Sequence, residues 1–227
     1  MDIASQQGYQ AGAPRPQARS MANTIAGGSF SESFVGAASV ALAILGLSGV
    51  LPFWMATIGV IALGVAFLIE GAAISSTISD LTAADKAGQL DITDIGGGMT
   101  TEFLAGLAGI TLGILSLLGI SSALLLGIAI ITFGGAMVMG SPSVAQLNYL
   151  SSDRSNISNI QLIAREALGA ASNLKLAGGI GTIVLGILAI TDLPQYGFVL
   201  IGLITAGFTM FVSGSALGTR MVNLFRK

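Results

Sequence analysis

Six apolar stretches dominate this chain, and each is long enough to cross a lipid bilayer as an α-helix. They contain 17, 21, 18, 20, 18 and 22 residues, and about 20 residues of helix span the hydrocarbon layer. The apolar runs are continuous and do not alternate with a period of two, which argues against β-strands. The sequence therefore predicts six transmembrane helices, with approximate cores at 34–50, 53–73, 103–120, 121–140, 174–191 and 196–217.

The chain is poor in charge, which fits an all-α integral membrane protein. Of its 227 residues, 9 are Lys or Arg and 11 are Asp or Glu, so charged residues are about a third as frequent as in soluble domains. Cys and His are absent, which excludes disulfides, thiolate nucleophiles, His-ligated metals and His-based catalysis. The net charge of −2 gives no reason to expect nucleic acid as a partner. We therefore predict a non-enzymatic protein without catalytic residues, cofactor or metal site.

The connections between the apolar stretches alternate between short and long. Tight turns are predicted around 49–52, 121–122 and 191–195, whereas the linkers 77–100 and 147–170 are long and polar. Because short turns join antiparallel neighbours, the chain is predicted to form three helical hairpins.

The predicted domain organisation follows from these connections. Residues 1–30 are rich in Gln, Ala, Gly and Ser and are predicted to form a flexible polar tail. Within the second linker, residues 157–168 fit an amphipathic helix that lies in the membrane interface or packs as a cap on helix ends. The six-helix domain occupies 31–227, with hairpins at about 31–76, 101–146 and 171–219.

The basic residues predict how the chain crosses the membrane. All nine lie in a tail, in a long linker or at a helix end on the same side, and the short turns carry only Asp192. Since Lys and Arg are enriched on the cytoplasmic side, both termini and both long linkers are predicted to face the cytoplasm. We expect a multi-pass protein of the inner, cytoplasmic cell membrane.

The three hairpins are related in sequence. Segment 41–70 aligns with 111–140 at an offset of 70, and the latter aligns with 184–213 at a further offset of 73. Two-helix units that repeat in the same sense predict parallel repeats about an axis along the membrane normal. Corresponding sets include Leu45, Leu115 and Leu188; Gly64, Gly134 and Gly207; and Glu32, Glu102 and Lys175.

A recurring motif surrounds the tight turns. In the second hairpin it consists of Gly113–Leu118 (GILSLL), the LLLG that ends at Gly127, and Phe133-Gly134. In the third it consists of Leu185–Leu188 (LGIL), Pro194 and the LIG that ends at Gly202. Over about residues 31–217 the pattern resembles the hairpin unit of the HdeD-like membrane proteins. The resemblance implies six helices in three hairpins and an association with acid resistance, and it brings no catalytic residues. The second unit departs from it with Ser121-Ser122 in place of a turn Pro, and the tail is extra.

Four ionisable residues near the predicted cytoplasmic helix ends are candidates for function: Glu32, Glu70, Glu102 and Lys175. Charges at the bilayer centre cost about 2.5–3.5 kcal/mol on insertion scales and are often functional. Helix-start capping explains Glu32 and Glu102, because the helix dipole favours anions in the first turn. Glu70 is predicted at a helix C-terminal end, where the dipole disfavours it, and is our strongest functional candidate. Either a Glu70–Lys175 or a Glu102–Lys175 pair would offset the cost of burial; otherwise Glu70 snorkels to water.

Glycines at helical spacing predict close helix packing. Gly106, Gly109 and Gly113 share the third stretch, and the GGIG at 178–181 lies in the fifth. Small residues let helix backbones approach each other in membranes; the alternative is a pore or ligand groove lined by bare backbone. The predicted packing glycines are Gly64, Gly109, Gly113, Gly134 and Gly207.

Two classes of function are compatible with this sequence, and a third is disfavoured. The favoured interpretation is a non-enzymatic multi-pass membrane protein with a structural, stress-response or accessory-subunit role. The alternative is a small-solute channel or transporter, which six helices with internal repeats permit, although the spans offer few polar groups. An intramembrane enzyme would need clustered catalytic or metal-binding groups. The expected partners are the lipid bilayer and either further copies of the chain, as a homo-oligomer, or the other subunits of a larger membrane complex.

Overall fold

Helices make up nearly all of the chain that the structure describes. A computed structural model gives the backbone at residues 16–84, 92–150, 159–191 and 196–225, and side chains at 31–72, 101–141, 170, 172–191 and 196–215. No strand occurs in these ranges, so the all-α prediction is confirmed for them. The helices are α1 (Pro16–Leu47), α2 (Pro52–Ala84), α3 (Ile92–Leu117), α4 (Ser122–Leu150), α5 (Asn159–Thr191) and α6 (Gly197–Phe225).

Four of these helices contain a segment long and apolar enough to cross a membrane. The segments have 19 to 21 residues and lie at Pro52–Ala72, Ser122–Ser141, Ser172–Thr191 and Gly197–Ser215. The apolar parts of α1 and α3 are shorter, at Ser31–Leu47 and Thr101–Leu117. By length and composition this pattern is typical of a multi-pass membrane protein.

The helices extend well beyond the apolar stretches. α1 begins at Pro16, inside the segment predicted to be a tail, and proline suits a first helical turn because no N–H donor is needed there. α2 continues to Ala84 and α5 begins at Asn159, both within predicted linkers. Most of the amphipathic stretch at 157–168 therefore forms the first turns of α5 and is not a separate helix. Residues 1–15, which complete the predicted tail, lie outside the described residues.

Two tight turns share one backbone conformation. Gly49 follows α1 with a φ of 92°, and Gly119 follows α3 with a φ of 80°. Glycine adopts this left-handed region without steric cost, which makes it the usual residue just after a helix. Two residues later, Leu51 and Ser121 also have positive φ, of 42° and 36°. The chain thus reverses direction between α1 and α2 in the same way as between α3 and α4.

The helices close into a ring in chain order. Each helix packs against its neighbours in sequence, α6 packs against α1, and α2, α4 and α6 also contact one another. The rings of Phe67 and Phe133 stack with their centroids 5.1 Å apart. The space between α2, α4 and α6 is therefore filled by side chains with no exposed surface, the largest being Leu63, Phe67, Leu126, Ile130, Phe133, Met137, Leu203 and Met210.

Glycine pairs bring neighbouring helices into backbone contact, and three of these pairs, which we call the glycine crossings, lie at positions related by the offsets of 70 and 73. In each crossing, a methyl group on either glycine would lie 2.5–2.9 Å from the carbonyl oxygen of the other. Such close approach is typical of helix pairs in membranes, where small residues maximise packing. The pairs are Gly36 with Gly207 (α1–α6), Gly64 with Gly106 (α2–α3) and Gly134 with Gly179 (α4–α5).

The two remaining predicted glycines contact side chains. A methyl group on Gly109 would overlap the ring of Phe133, and one on Gly113 would lie 2.5 Å from Cγ1 of Ile61. Both glycines are buried. They therefore lie at helix contacts and do not line an open groove.

Candidate functional site

The four charged side chains that the structure describes all lie inside the helix ring, at one level. Together with Ser213 of α6 they form what we call the charged layer: Glu32 (α1), Glu70 (α2), Glu102 (α3) and Lys175 (α5). Glu32 precedes the end of α1 by about four helical turns, and Glu70 follows the start of α2 by about five. The charged layer therefore lies at the end of the apolar core opposite the tight turns.

Lys175 bridges two carboxylates in the charged layer. Its Nζ lies 2.5 Å from Oε1 of Glu70 and 2.9 Å from Oε1 of Glu102. All three side chains are at least nine-tenths buried. The ammonium group donates hydrogen bonds to both carboxylates, and such charge-assisted bonds are stronger than neutral ones. The sequence suggested one pair or the other, and the structure brings both carboxylates to the same ammonium.

Glu32 lies where α1 meets α6, and its surroundings differ from those of the other two glutamates. Its residue surface is 2% exposed. Its Oε1 lies 2.5 Å from Oγ of Ser213, and the same Oγ lies 3.2 Å from the carbonyl oxygen of Met210. Glu32 is near enough to Glu70, Glu102 and Lys175 to interact with their charges. Within the described chain, its only hydrogen-bond partner is Ser213.

Gly140 of α4 makes room for one of the bridged carboxylates. A methyl group on Gly140 would overlap Oε1 of Glu102 and lie 3.0 Å from its Cδ. At the offsets of 70 and 73, Gly140 corresponds to Glu70 and to Ser213. At this position α4 thus contributes space beside Glu102.

The charged layer contains more carboxyl groups than cations. It has three glutamates and one lysine, so its formal charge would be −2 if every group were ionised. Oε2 of Glu70 is buried and has no hydrogen-bond partner among the described residues. Burying an uncompensated charge costs several kcal/mol even after the protein relaxes. The arrangement therefore favours fewer negative charges than the sequence formally carries.

The capping interpretation of Glu32 and Glu102 is wrong. α1 begins at Pro16 and α3 at Ile92, so both glutamates lie well inside their helices rather than in first turns. Glu70 is not at a helix C-terminal end either, because α2 continues to Ala84. Hydropathy alone placed the helix ends at the charged residues, whereas the helices run past them.

Sequence reasoning missed two members of this site, Ser213 and Gly140. Neither is ionisable, so a search for charged residues in apolar segments passes over both. The alignment of the three related segments identifies them, because Glu70 aligns with Gly140 at the offset of 70, and Gly140 aligns with Ser213 at the offset of 73. The same step applied to Gly106 and Gly179 finds Gly36, the partner of Gly207.

The chemistry open to the charged layer is ion pairing and the exchange of protons by carboxyl groups. The chain has no His or Cys to act as nucleophile, base or metal ligand. Among the residues that the structure describes, no three acidic side chains are arranged to hold a metal ion.

Comparison of the chain with protein-family models, with curated proteins and with solved structures found no match. The resemblance to the HdeD-like proteins therefore stays a prediction from the sequence motif.

Proposed function

We propose that the chain is a non-enzymatic, multi-pass membrane protein with a structural or accessory role, acting as copies of itself or within a larger membrane complex. One observation carries the proposal. Every charged side chain in the described part of the chain points away from the outer surface of the helix ring, and the outer surface is apolar. A protein in water has the opposite arrangement, since buried charges are rare and outer surfaces are charged.

Large apolar side chains cover the outward faces of all six helices. Large exposed apolar surfaces on a protein mark contact with lipid or with a partner protein. A mostly apolar exterior, with no charged side chain among the described residues, supports lipid as the main surroundings of the helix ring. Examples with more than half of their surface exposed are Phe34, Ile44, Leu51, Leu104, Leu118, Ile120, Met139, Ile180 and Phe208.

We further propose that all six helices cross the membrane, as three hairpins related by parallel repeats. The glycine crossings support this, because they join helices at positions that correspond by the offsets of 70 and 73. The matching turn conformations at Gly49 and Gly119 support it as well. α1 and α3 have apolar parts of 17 residues, which is at the lower end of the length that spans a bilayer.

The filled interior favours a structural role over the channel alternative. A solute that crosses the bilayer along the ring axis would have to displace the stacked rings of Phe67 and Phe133, which have no exposed surface. Conducting pores instead offer polar groups or water along their length. We therefore expect no solute flux through the centre of the ring.

The resemblance to the HdeD-like family extends the proposal to a stress-response role in the cytoplasmic membrane. The positions of the nine basic residues support an orientation with both termini and both long linkers in the cytoplasm. Survival of a deletion strain after acid shock tests the role, and unchanged survival would remove the stress-response part of the proposal.

Single-cysteine labelling tests the six-span topology without background, because the natural chain has no Cys. Turn positions Ser48→Cys, Leu118→Cys and Thr191→Cys should react with a membrane-impermeant thiol reagent on intact cells. Linker positions Ala87→Cys and Ser152→Cys should react only after the membrane is permeabilised. Labelling of either linker position on intact cells would overturn the proposed topology.

A flux assay on the purified full chain in liposomes separates the structural role from the channel. We expect proton, sodium and glycerol flux equal to that of empty liposomes. Purification from native membranes should yield a fixed assembly of several copies or of defined partners. Flux well above that of empty liposomes would refute the structural role, and a monodisperse monomer without partners would refute the accessory role.

A further inference from the structure

Glu32 is the one described carboxyl group in the charged layer that has no ammonium partner. Lys175 directs its Nζ to Glu70 and Glu102, and Glu32 forms no ion pair among the described residues. Its residue surface is 2% exposed, so bulk water does not take the place of a cation. An ionised carboxylate in such surroundings is costly, and the usual outcome in proteins is that the group becomes neutral.

The hydrogen bonds around Ser213 need one more hydrogen than its hydroxyl group can provide. Its Oγ lies within hydrogen-bond distance of two acceptors, Oε1 of Glu32 at 2.5 Å and the carbonyl oxygen of Met210 at 3.2 Å. A serine hydroxyl donates one hydrogen and accepts through two lone pairs. Both contacts become two-centre hydrogen bonds, each with a hydrogen of its own, when Glu32 donates to Oγ while Oγ–H donates to Met210.

The charged groups that face Glu32 from the other helices also favour its protonated form. α2 and α3 bring the carboxylates of Glu70 and Glu102, α5 brings the ammonium of Lys175, and α6 brings Ser213. None of the described side chains of α4 is charged. Two carboxylates already share the one cation, so ionised Glu32 would add a further uncompensated negative charge beside them.

We propose that Glu32 is a buried proton-binding site: a carboxylic acid at neutral pH that donates its O–H to Ser213, which in turn donates to the Met210 carbonyl. Release of the proton leaves a carboxylate on Glu32 and returns H⁺ to solvent, so no other reactant is needed. The inference goes beyond the structural role proposed above and does not depend on it.

Glu32 lies close to a helix crossing. It is one helical turn before Gly36, which crosses Gly207 in backbone contact between α1 and α6. Loss of the proton therefore places a charge next to this crossing, where Glu70 and Glu102 repel it and Lys175 attracts it.

Infrared spectroscopy of the purified full chain tests the proposal, because only protonated carboxyl groups give the C=O stretch of a carboxylic acid. At neutral pH we expect this band in the natural protein and the loss of one carboxyl's amplitude in Glu32→Gln. The matched control Glu102→Gln removes a carboxylate paired with Lys175 and should keep the Glu32 band. Ser213→Ala should keep the band but shift its frequency, since the O–H of Glu32 loses its acceptor. A band unchanged in Glu32→Gln would overturn the proposal.

Chemical labelling of the natural chain tests the same point without a variant. Hydrophobic carbodiimides react with protonated carboxyl groups in apolar surroundings. We expect the adduct on Glu32 at neutral pH, found by peptide mapping, with less adduct as the pH rises. An adduct confined to Glu70 or Glu102, or no adduct together with no carboxylic-acid band, would show that Glu32 is ionised.

Discussion

The glycine crossings and the charged layer occupy corresponding positions in the helix ring but differ in how their residues repeat. At the crossings, all six positions are glycine: Gly36, Gly106 and Gly179 face Gly207, Gly64 and Gly134. One turn or more away, the charged layer together with Gly140 occupies six positions with four residue types. There, Glu32, Glu102 and Lys175 correspond to one another, as do Glu70, Gly140 and Ser213.

The difference follows from the range of the forces involved. Backbone packing is short-ranged, so the same residue satisfies each crossing separately. Charges interact over longer distances in an apolar interior, so the charged layer has to be balanced as a whole. Three buried glutamates around one axis repel one another. Lys175, which takes the place of Glu32 and Glu102 in the third hairpin, offsets the negative charges of Glu70 and Glu102.

Removal of Lys175 should have the largest effect on the free energy of unfolding. Lys175→Met leaves Glu70 and Glu102 without their cation, and breaking a buried ion pair by removing one partner costs about 3–5 kcal/mol. Denaturation with an anionic detergent, followed by circular dichroism, measures the loss. The triple variant Glu70→Gln, Glu102→Gln, Lys175→Met should recover most of it, because no charge is then left unpaired. Equal stability of the single variant and the natural chain would show that the bridge is not a stabilising feature.

Two adjacent glycines in α4 provide a matched test of the crossings. A methyl group on Gly134 would lie 2.6 Å from the carbonyl oxygen of Gly179, whereas one on Gly135 meets nothing within 4 Å. Gly134→Ala should therefore destabilise the chain by about 1–3 kcal/mol, the usual cost of overpacking. Gly135→Ala should change stability by about 0.5 kcal/mol or less. The same detergent titration compares them, and similar losses for both would mean that α4 and α5 do not depend on close backbone approach.

The helical class and the apolar segments follow from the sequence because burial in lipid requires long continuous apolar runs. The packing glycines at Gly64, Gly134 and Gly207 follow from their recurrence at one position per hairpin. The helix ends do not follow, because hydropathy measures only where a helix enters lipid. α1 begins at Pro16 and α2 ends at Ala84, both in polar sequence. There the helix continues because of the helix propensity of its residues, which a search for apolar segments does not detect.

Ser213 and the pairing of the charged residues are also beyond a search by residue type. Lys175 and its two carboxylates are conspicuous as charges in apolar segments, but which of them pair depends on how the ring closes. The contact between Glu32 and Ser213 joins residues 181 positions apart and exists because α1 packs against α6. No local pattern shows that the first and last helices meet, since any order of helices would satisfy the same hydropathy.

Removal of the Ser213 hydroxyl should have the smallest of the three effects, because it deletes hydrogen bonds and leaves every charge in place. Ser213→Ala should cost about 1 kcal/mol, the typical net value of a hydrogen bond. Thr205→Val is the control on the same helix, since it removes a hydroxyl that bonds to the Ile201 carbonyl of its own helix. If the two variants unfold at the same detergent concentration, Ser213 contributes nothing to the contact between α1 and α6. A loss close to that of Lys175→Met would instead mean that Glu32 is ionised and accepts a hydrogen bond from Ser213. Hydrogen bonds to buried charges are worth more than those between neutral groups.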